Sequence, residues 1–158
     1  MSQLIDELRK LIEDEDSEDY TDTELNVYLN KYRDTLDDYT LSAETDDYLV
    51  WISDYKYLDN VILDSAEDTP VTDIYTSDDI NGIYTFTVEQ TAVYIKAQYY
   101  DLYKTASDIW LIRAARCSFS GGVKLGDEIV PADKYNREYC IMKYWDLRQS
   151  DSTSIERE

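Results

Sequence analysis

Apolar and polar positions recur along this chain with two different periods, and the switches between them mark its organisation. Leu4, Ile5, Leu8, Leu11 and Ile12 fall at i, i+1, i+4, i+7 and i+8, which places them in one stripe of an amphipathic helix. An acidic connector over residues 13–22 follows. Thr21 with Glu24 fits a capping box, in which a hydroxyl and a carboxylate satisfy each other's orphan amides. Leu25, Tyr28, Leu29, Tyr32 and Leu36 then line one face of a second helix that fades near residues 37–40. After Asp47 the period shortens. Tyr48-Leu49-Val50-Trp51-Ile52, residues 57–63 and residues 71–76 are β-prone runs. Asn81-Gly82, between Asp79-Ile80 and Ile83-Tyr84-Thr85-Phe86, signals a hairpin, and residues 92–99 supply a last strand. Helical spacing returns near Tyr100 with Leu102, Tyr103, Ala106, Ile109, Trp110, Ala114 and Cys117. Gly121-Gly122 ends that helix. Residues 119–132 read as a loop, and Pro131 opens a final helix near Ala132 carrying Tyr135, Tyr139, Met142, Trp145 and Asp146.

These elements predict a mainly α fold, a helical bundle of about four helices with a small antiparallel β-module inserted between the second and third. The expected divisions are N-terminal helices with the acidic connector (1–46), the β-module (47–98), a C-terminal helix pair completing the helical core (99–148) and a flexible tail (149–158).

Charge sharpens the picture. Residues 1–80 hold 24 Asp+Glu against 5 Lys+Arg, a net of −19, whereas residues 81–158 hold 11 against 10, a net of −1. So uneven a chain suggests two surfaces with different neighbours, one wet or repelling polyanions and one touching protein. The hydrophobic content of 43% supports a packed core despite that charge. The 16 tyrosines, each an apolar ring with a polar tip, suit half-buried faces and subunit contacts. Cys117 and Cys140 form no metal-type pair and read as buried reduced thiols. The charged amphipathic start reads as a helix rather than a signal peptide, and no apolar run approaches a membrane span.

Candidate chemistry is sparse. The chain has no histidine, which removes the commonest general base and metal ligand and rules out a Ser–His–Asp arrangement. Asp14, Asp16 and Glu18 alternate as calcium-loop ligands do, but the sixth position is Asp19 instead of Gly and the twelfth is Leu25 instead of Glu. Paired carboxylates such as Asp37/Asp38, Asp46/Asp47 and Asp78/Asp79 are too abundant to single out a glycosidase pair. Gly121-Gly122 with Lys124 lacks the spacing of a phosphate loop. The basic residues of the second half are interleaved with acids and form no nucleic-acid patch. Arg113 and Arg116 flank the apolar stripe of the third helix, where pairing with acids across a helix or subunit contact suits them. The expectation is therefore a non-enzyme without cofactor or metal.

Several stretches together resemble a known family. Tyr100-Asp101-Leu102-Tyr103, Ala106-Ser107-Asp108-Ile109-Trp110, Ala114-Ala115 and Ser118-Phe119-Ser120-Gly121-Gly122 are similar to the head–tail adaptor (connector) proteins of tailed bacteriophages. So are the helix start from Thr21 to Leu25 and the hairpin Asn81-Gly82-Ile83-Tyr84-Thr85-Phe86. The similarity is one of order and spacing over residues 20–148, with departures in the acidic first half and in the longer loop at residues 123–130. It implies a homo-oligomeric ring of about twelve subunits at the capsid vertex, in the neck of the virion, formed in the host cytoplasm during assembly. The ring would dock on the portal protein, meet the next tail or neck protein, and let double-stranded DNA pass without gripping it. Under that reading, candidate subunit or portal contacts are Asp108, Trp110, Arg113, Arg116, Phe119, Tyr139 and Trp145. Asp14, Asp16, Glu18 and Asp19 are the candidate acidic face toward lumen or solvent. Two other readings compete. An acidic decoy could imitate DNA and bind a nucleic-acid-binding protein, and a tail-completion or neck protein could share the same composition.

Overall fold

A computed structural model describes residues 2–17, 19–66, 69–119, 124–125, 128–129 and 136–152. Two compact units divide the chain discontinuously, one from residues 1–5 and 29–101 and the other from residues 6–28 and 102–158.

The first unit is built from strands. Its first sheet has the order β1-β8-β4-β5, from β1 (Arg33–Thr40), β8 (Tyr94–Tyr100), β4 (Leu58–Ala66) and β5 (Thr69–Pro70). Its second has the order β2-β3-β7-β6, from β2 (Ser42–Ala43), β3 (Val50–Ile52), β7 (Ile83–Phe86) and β6 (Tyr75–Asp78). All pairings are antiparallel. Leu36, Leu58, Leu63, Ile95 and Ala97 from the first sheet share one core with Trp51, Tyr84 and Phe86 from the second. The two sheets thus form a sandwich, and alternation along β8 and β7 turns every second side chain into it. On the other face of β8, Lys96 Nζ bridges Asp38 on β1 at 3.1 Å and Asp64 on β4 at 3.2 Å.

The mainly α expectation is overturned here. The described residues hold four helices, yet strands dominate the whole stretch from Arg33 to Tyr100. The second helix, α2 (Asp22–Lys31), stops short of Leu36. Residues 33–40, expected to carry its fading end, pair instead with β8 from Arg33↔Tyr100 to Thr40↔Tyr94. Leu36 is the only buried residue of that strand, so one apolar residue in helical register gave a false signal. Thr35, Asp37, Asp38 and Thr40 are weak helix formers, and the ladder supplies the competing hydrogen bonds. A register shift between Leu36 and Tyr39 accommodates Asp38, whose φ is 50°.

The Asn81-Gly82 hairpin joins β6 to β7, with a four-residue loop in place of a two-residue turn, since Asp78 pairs with Ile83. Asn81 donates its backbone N–H and its side-chain amide to the Asp78 carboxylate. Of the four loop residues only Gly82 takes a left-handed φ, 69°, and a Cβ there would lie 2.5 Å from the Tyr55 carbonyl oxygen.

The second unit contains most of α1 (Ser2–Ile12) and α2, together with α3 (Leu102–Phe119) and α4 (Arg137–Ser152). The α1 stripe is as expected, with Leu4, Ile5, Leu8 and Ile12 buried. The capping box forms, with Thr21 N–H donating to Glu24 at 2.8 Å and Glu24 N–H to Thr21 Oγ1 at 3.3 Å. Leu102, Ala106, Ile109, Trp110 and Ala114 are buried along α3, which packs against α4, where Cys140 and Leu147 are buried. Helix α4 starts at Arg137, later than the sequence suggests, because Asn136 caps it by accepting the Tyr139 N–H at 2.8 Å. It also runs on through residues 149–152, assigned above to a tail. Gly121, Gly122, Pro131, Ala132 and Tyr135 lie outside the described residues.

Candidate interaction surfaces

The acidic connector is a folded loop wrapped around two arginines. Helix α1 ends with Glu13 at φ 55°, while Asp14 N–H returns to the Arg9 carbonyl at 3.0 Å. Arg9, 5% exposed, donates to the Asp14 carboxylate at 2.8 Å, the Tyr20 carbonyl at 3.0 Å and the Asp22 carboxylate at 2.6 Å. Asp14 also accepts backbone N–H groups from Asp19 at 2.9 Å and Tyr20 at 3.2 Å. One buried carboxylate therefore ties together both ends of a loop that composition alone marks as solvated.

Arg113, on α3, closes the other side. It is 1% exposed and donates to the Ile12 carbonyl and to Asp19 Oδ2, the latter at 2.9 Å. Its guanidinium lies over the Trp110 ring at 4.7 Å and the Tyr20 ring at 5.2 Å. Trp110 Nε1–H donates to the Leu11 carbonyl at 3.1 Å. The last carbonyls of α1, orphaned by the end of the helix, thus meet a cation and an indole donor, which suits the negative end of the helix dipole. Glu13 points toward α4, where it accepts from Tyr139 Oη and pairs with Lys143 Nζ, both at 2.7 Å. That acceptor raises the Tyr139 hydroxyl above its ordinary range, with burial adding to the effect.

The expected site residues divide sharply. Trp110, Arg113, Tyr139, Asp14 and Asp19 converge on this cluster. Asp14 is 1% exposed, so it belongs to the interior and to no solvent or lumen face. Trp110 and Arg113, expected as subunit or portal contacts, are buried as well, with their rings and donors used inside the chain. Asp108 is half-buried, 3.6 Å from Arg148. Asp16, Arg116 and Trp145 are exposed. Glu18 and the Phe119 side chain lie outside the described residues. Arg9, Glu13 and Tyr20 were missed. Arg9 offered a signal, since it follows Leu8 and lies one turn from both Ile5 and Ile12 on a stripe that is otherwise apolar.

One outward face stands out in this unit. On α4, Glu138, Met142, Trp145, Asp146 and Gln149 are exposed on the side opposite buried Cys140 and Leu147. Trp145 is 56% and Met142 48% exposed. The Trp145 ring is set by an edge contact with Tyr144 at 5.0 Å, and Arg148 lies over Tyr144 at 5.6 Å.

Among the described residues no group of three or more Cys, Asp or Glu is arranged to hold a metal ion, and no helix is long and apolar enough to cross a membrane. No family model, no curated protein and no solved structure matches this chain.

Proposed function

We propose that this chain is a structural virion protein, a head–tail adaptor whose copies form a ring on the portal and extend the DNA exit channel toward the tail. The observation that carries the reading is the outward Met142–Trp145 face of α4. A large, oriented aromatic beside a methionine on the solvent side of a packed hairpin is surface suited to a protein neighbour. The order helix, helix, strands, helix, helix is compatible with it, as are the Ala106-to-Trp110 and Ser118-to-Gly122 stretches quoted above. Within this reading the channel wall takes its negative charge from Asp16 and from the β unit, because Asp14 and Asp19 are engaged with arginines. A wall of carboxylates lets a polyanion slide, where each lysine–phosphate contact would add friction.

The test is electron microscopy of the purified protein mixed with its cognate portal protein. The expected image is a collar of about twelve copies on the portal, from the family resemblance, with free rings failing to form at low ionic strength because like-charged subunits repel. A chain that stays monomeric beside the portal at every salt concentration would overturn the proposal. The acidic-decoy reading keeps one observation of its own: residues 29–101 hold 16 Asp+Glu against 4 Lys+Arg. A decoy displaces DNA from a DNA-binding protein and is absent from purified particles, whereas an adaptor is present in them.

A further inference from the structure

Four chain segments meet at one end of the second sheet. Strands β3 and β6 begin there, and β2 and β7 end there, because neighbours run antiparallel. This end carries three outward apolar side chains: Ile74 at 76%, Val88 at 54% and Tyr48 at 45% exposure. They are not loose. Thr87 donates both its N–H and its hydroxyl to the Ile74 carbonyl at 3.1 Å. Gln90, itself 6% exposed, donates its side-chain amide to Asp73 at 2.8 Å and to the Val88 carbonyl at 3.0 Å. The Tyr48 carbonyl accepts from Gln90 N–H at 3.2 Å and from Trp51 Nε1–H at 2.9 Å. A hydrogen-bonded frame therefore holds an apolar tip in water, which is preorganisation for contact.

The charge around the tip has a single sign. Glu44, Asp46, Asp47, Asp73 and Glu89 are exposed at this end, and Lys56 is the only Lys or Arg between residues 34 and 95. A cleft of about 200 Å³ opens beside the tip, lined by Tyr48, Glu89, Gln90 and Thr91. An aromatic ring and a carboxylate flanking one cleft are complementary to a guanidinium or ammonium group.

We propose that this end of the β-sandwich docks a basic, apolar segment of a partner protein, with a lysine or arginine of that segment seated between Tyr48 and Glu89 and its apolar neighbours on Ile74 and Val88. A second copy presenting this same end brings the same five acids and is repelled. Nucleic acid and anionic lipid are repelled likewise. The inference stands apart from the adaptor reading, since it concerns only this end of the β unit.

The experiment screens a yeast-displayed library of random dodecapeptides with the full-length protein. Enriched peptides are expected to place Lys or Arg beside Leu, Ile, Val or Phe. Their affinity is expected to fall by about tenfold or more on Ile74→Asp and on Glu89→Gln, and to stay unchanged on Ile62→Asp. Ile62 is 54% exposed on β4 of the first sheet, so it controls for a general surface effect. Tyr48→Asn, a residue that tolerates the φ of 53° found there, provides a further variant whose fold is checked by its thermal melt. Four results would overturn the proposal. These are no enrichment, peptides that bind Ile74→Asp as well as the parent, uniformly basic peptides without an apolar residue, or self-association of the protein that Ile74→Asp abolishes.

Discussion

The two units solve the same problem with opposite materials. Residues 29–101 put apolar side chains between two sheets and leave their surplus charge, net −12 from 16 acids and 4 bases, largely outside. Residues 6–28 with 102–158 carry 19 acids and 11 bases, net −8, and bring two of those bases inside, where Arg9 and Arg113 hold an acidic loop. Charge counted by halves of the sequence makes the first half the acidic surface. Counted by folded unit, part of that acid is structural, because Asp14 and Asp19 are paired with arginines, one of them on α3, 94 residues beyond Asp19. A carboxylate's neighbours, more than its density along the chain, decide whether it repels, binds or cements.

The sharpest way to break this contrast is to empty the helical unit of its inner cation. Arg113→Ala leaves Asp19, the Ile12 carbonyl and two aromatic faces without their partner. The expected loss is about 2–3 kcal/mol, since the buried guanidinium loses its carbonyl and ring contacts while Asp19, about a third exposed, is partly rehydrated. Urea unfolding, with hydrogen exchange on peptides from each unit, reads it. Protection should fall in residues 6–28 and 102–119 while β7 and β8 keep theirs. A loss under about 1 kcal/mol would mean that the loop holds itself.

In the β unit an apolar truncation should matter in the same way. Ile95 is fully buried on the central strand β8, so Ile95→Ala is expected to cost about 2–5 kcal/mol by the same denaturation measurement. If it costs little, the core shared by the two sheets is not what stabilises them. Gly82→Ala tests the hairpin. Its left-handed φ and the close Tyr55 carbonyl should together cost on the order of 1–3 kcal/mol, read as a lowered melting temperature.

pH sharpens the comparison with the smallest effect. Burial is the main cause that pushes the Asp79 carboxyl of the β unit above the ordinary carboxylate range, with Asp78 and Asp59 adding repulsion and Tyr84 and Ser77 pulling the other way. A raised carboxylate pKa means stability that is present at acid pH and lost as pH rises through the folded value. Asp79→Asn should therefore stabilise at neutral pH by under about 1 kcal/mol, discounted for solvent screening, and the gain should vanish toward pH 4. Glu24, in the capping box of α2, has the opposite sign. Hydrogen bonds from Thr21 lower its pKa, so its contribution is present above the unfolded value and is lost as pH falls. Parallel melts of Asp79→Asn and Glu24→Gln across that range separate the two units by the direction of their response.

Local pattern was a good guide wherever one element buries one face by itself. The stripe Leu4, Ile5, Leu8 and Ile12, the Thr21–Glu24 box, the hairpin around Gly82 and the long α3 all follow from spacing and turn chemistry in the sequence. These features rest on neighbours a few residues away, and side-chain period, cap and φ preference encode such neighbours directly.

What the chain could not announce lies in contacts far apart in sequence. Residues 33–40 became a strand because β8 offers a ladder some sixty residues later, a partner invisible to helical spacing around Leu36. Asp14 left the solvent because Arg9 and two backbone amides converge on it, and Trp110 and Arg113 left the surface because the end of α1 needs donors. The sequence by itself determined the amphipathic stripe of α1, the Thr21–Glu24 cap, the turn at Gly82, and that the protein is strongly acidic. Only the tertiary structure decided which acids are spent inside and which face outward, because burial and pairing are set by segments that meet across the fold.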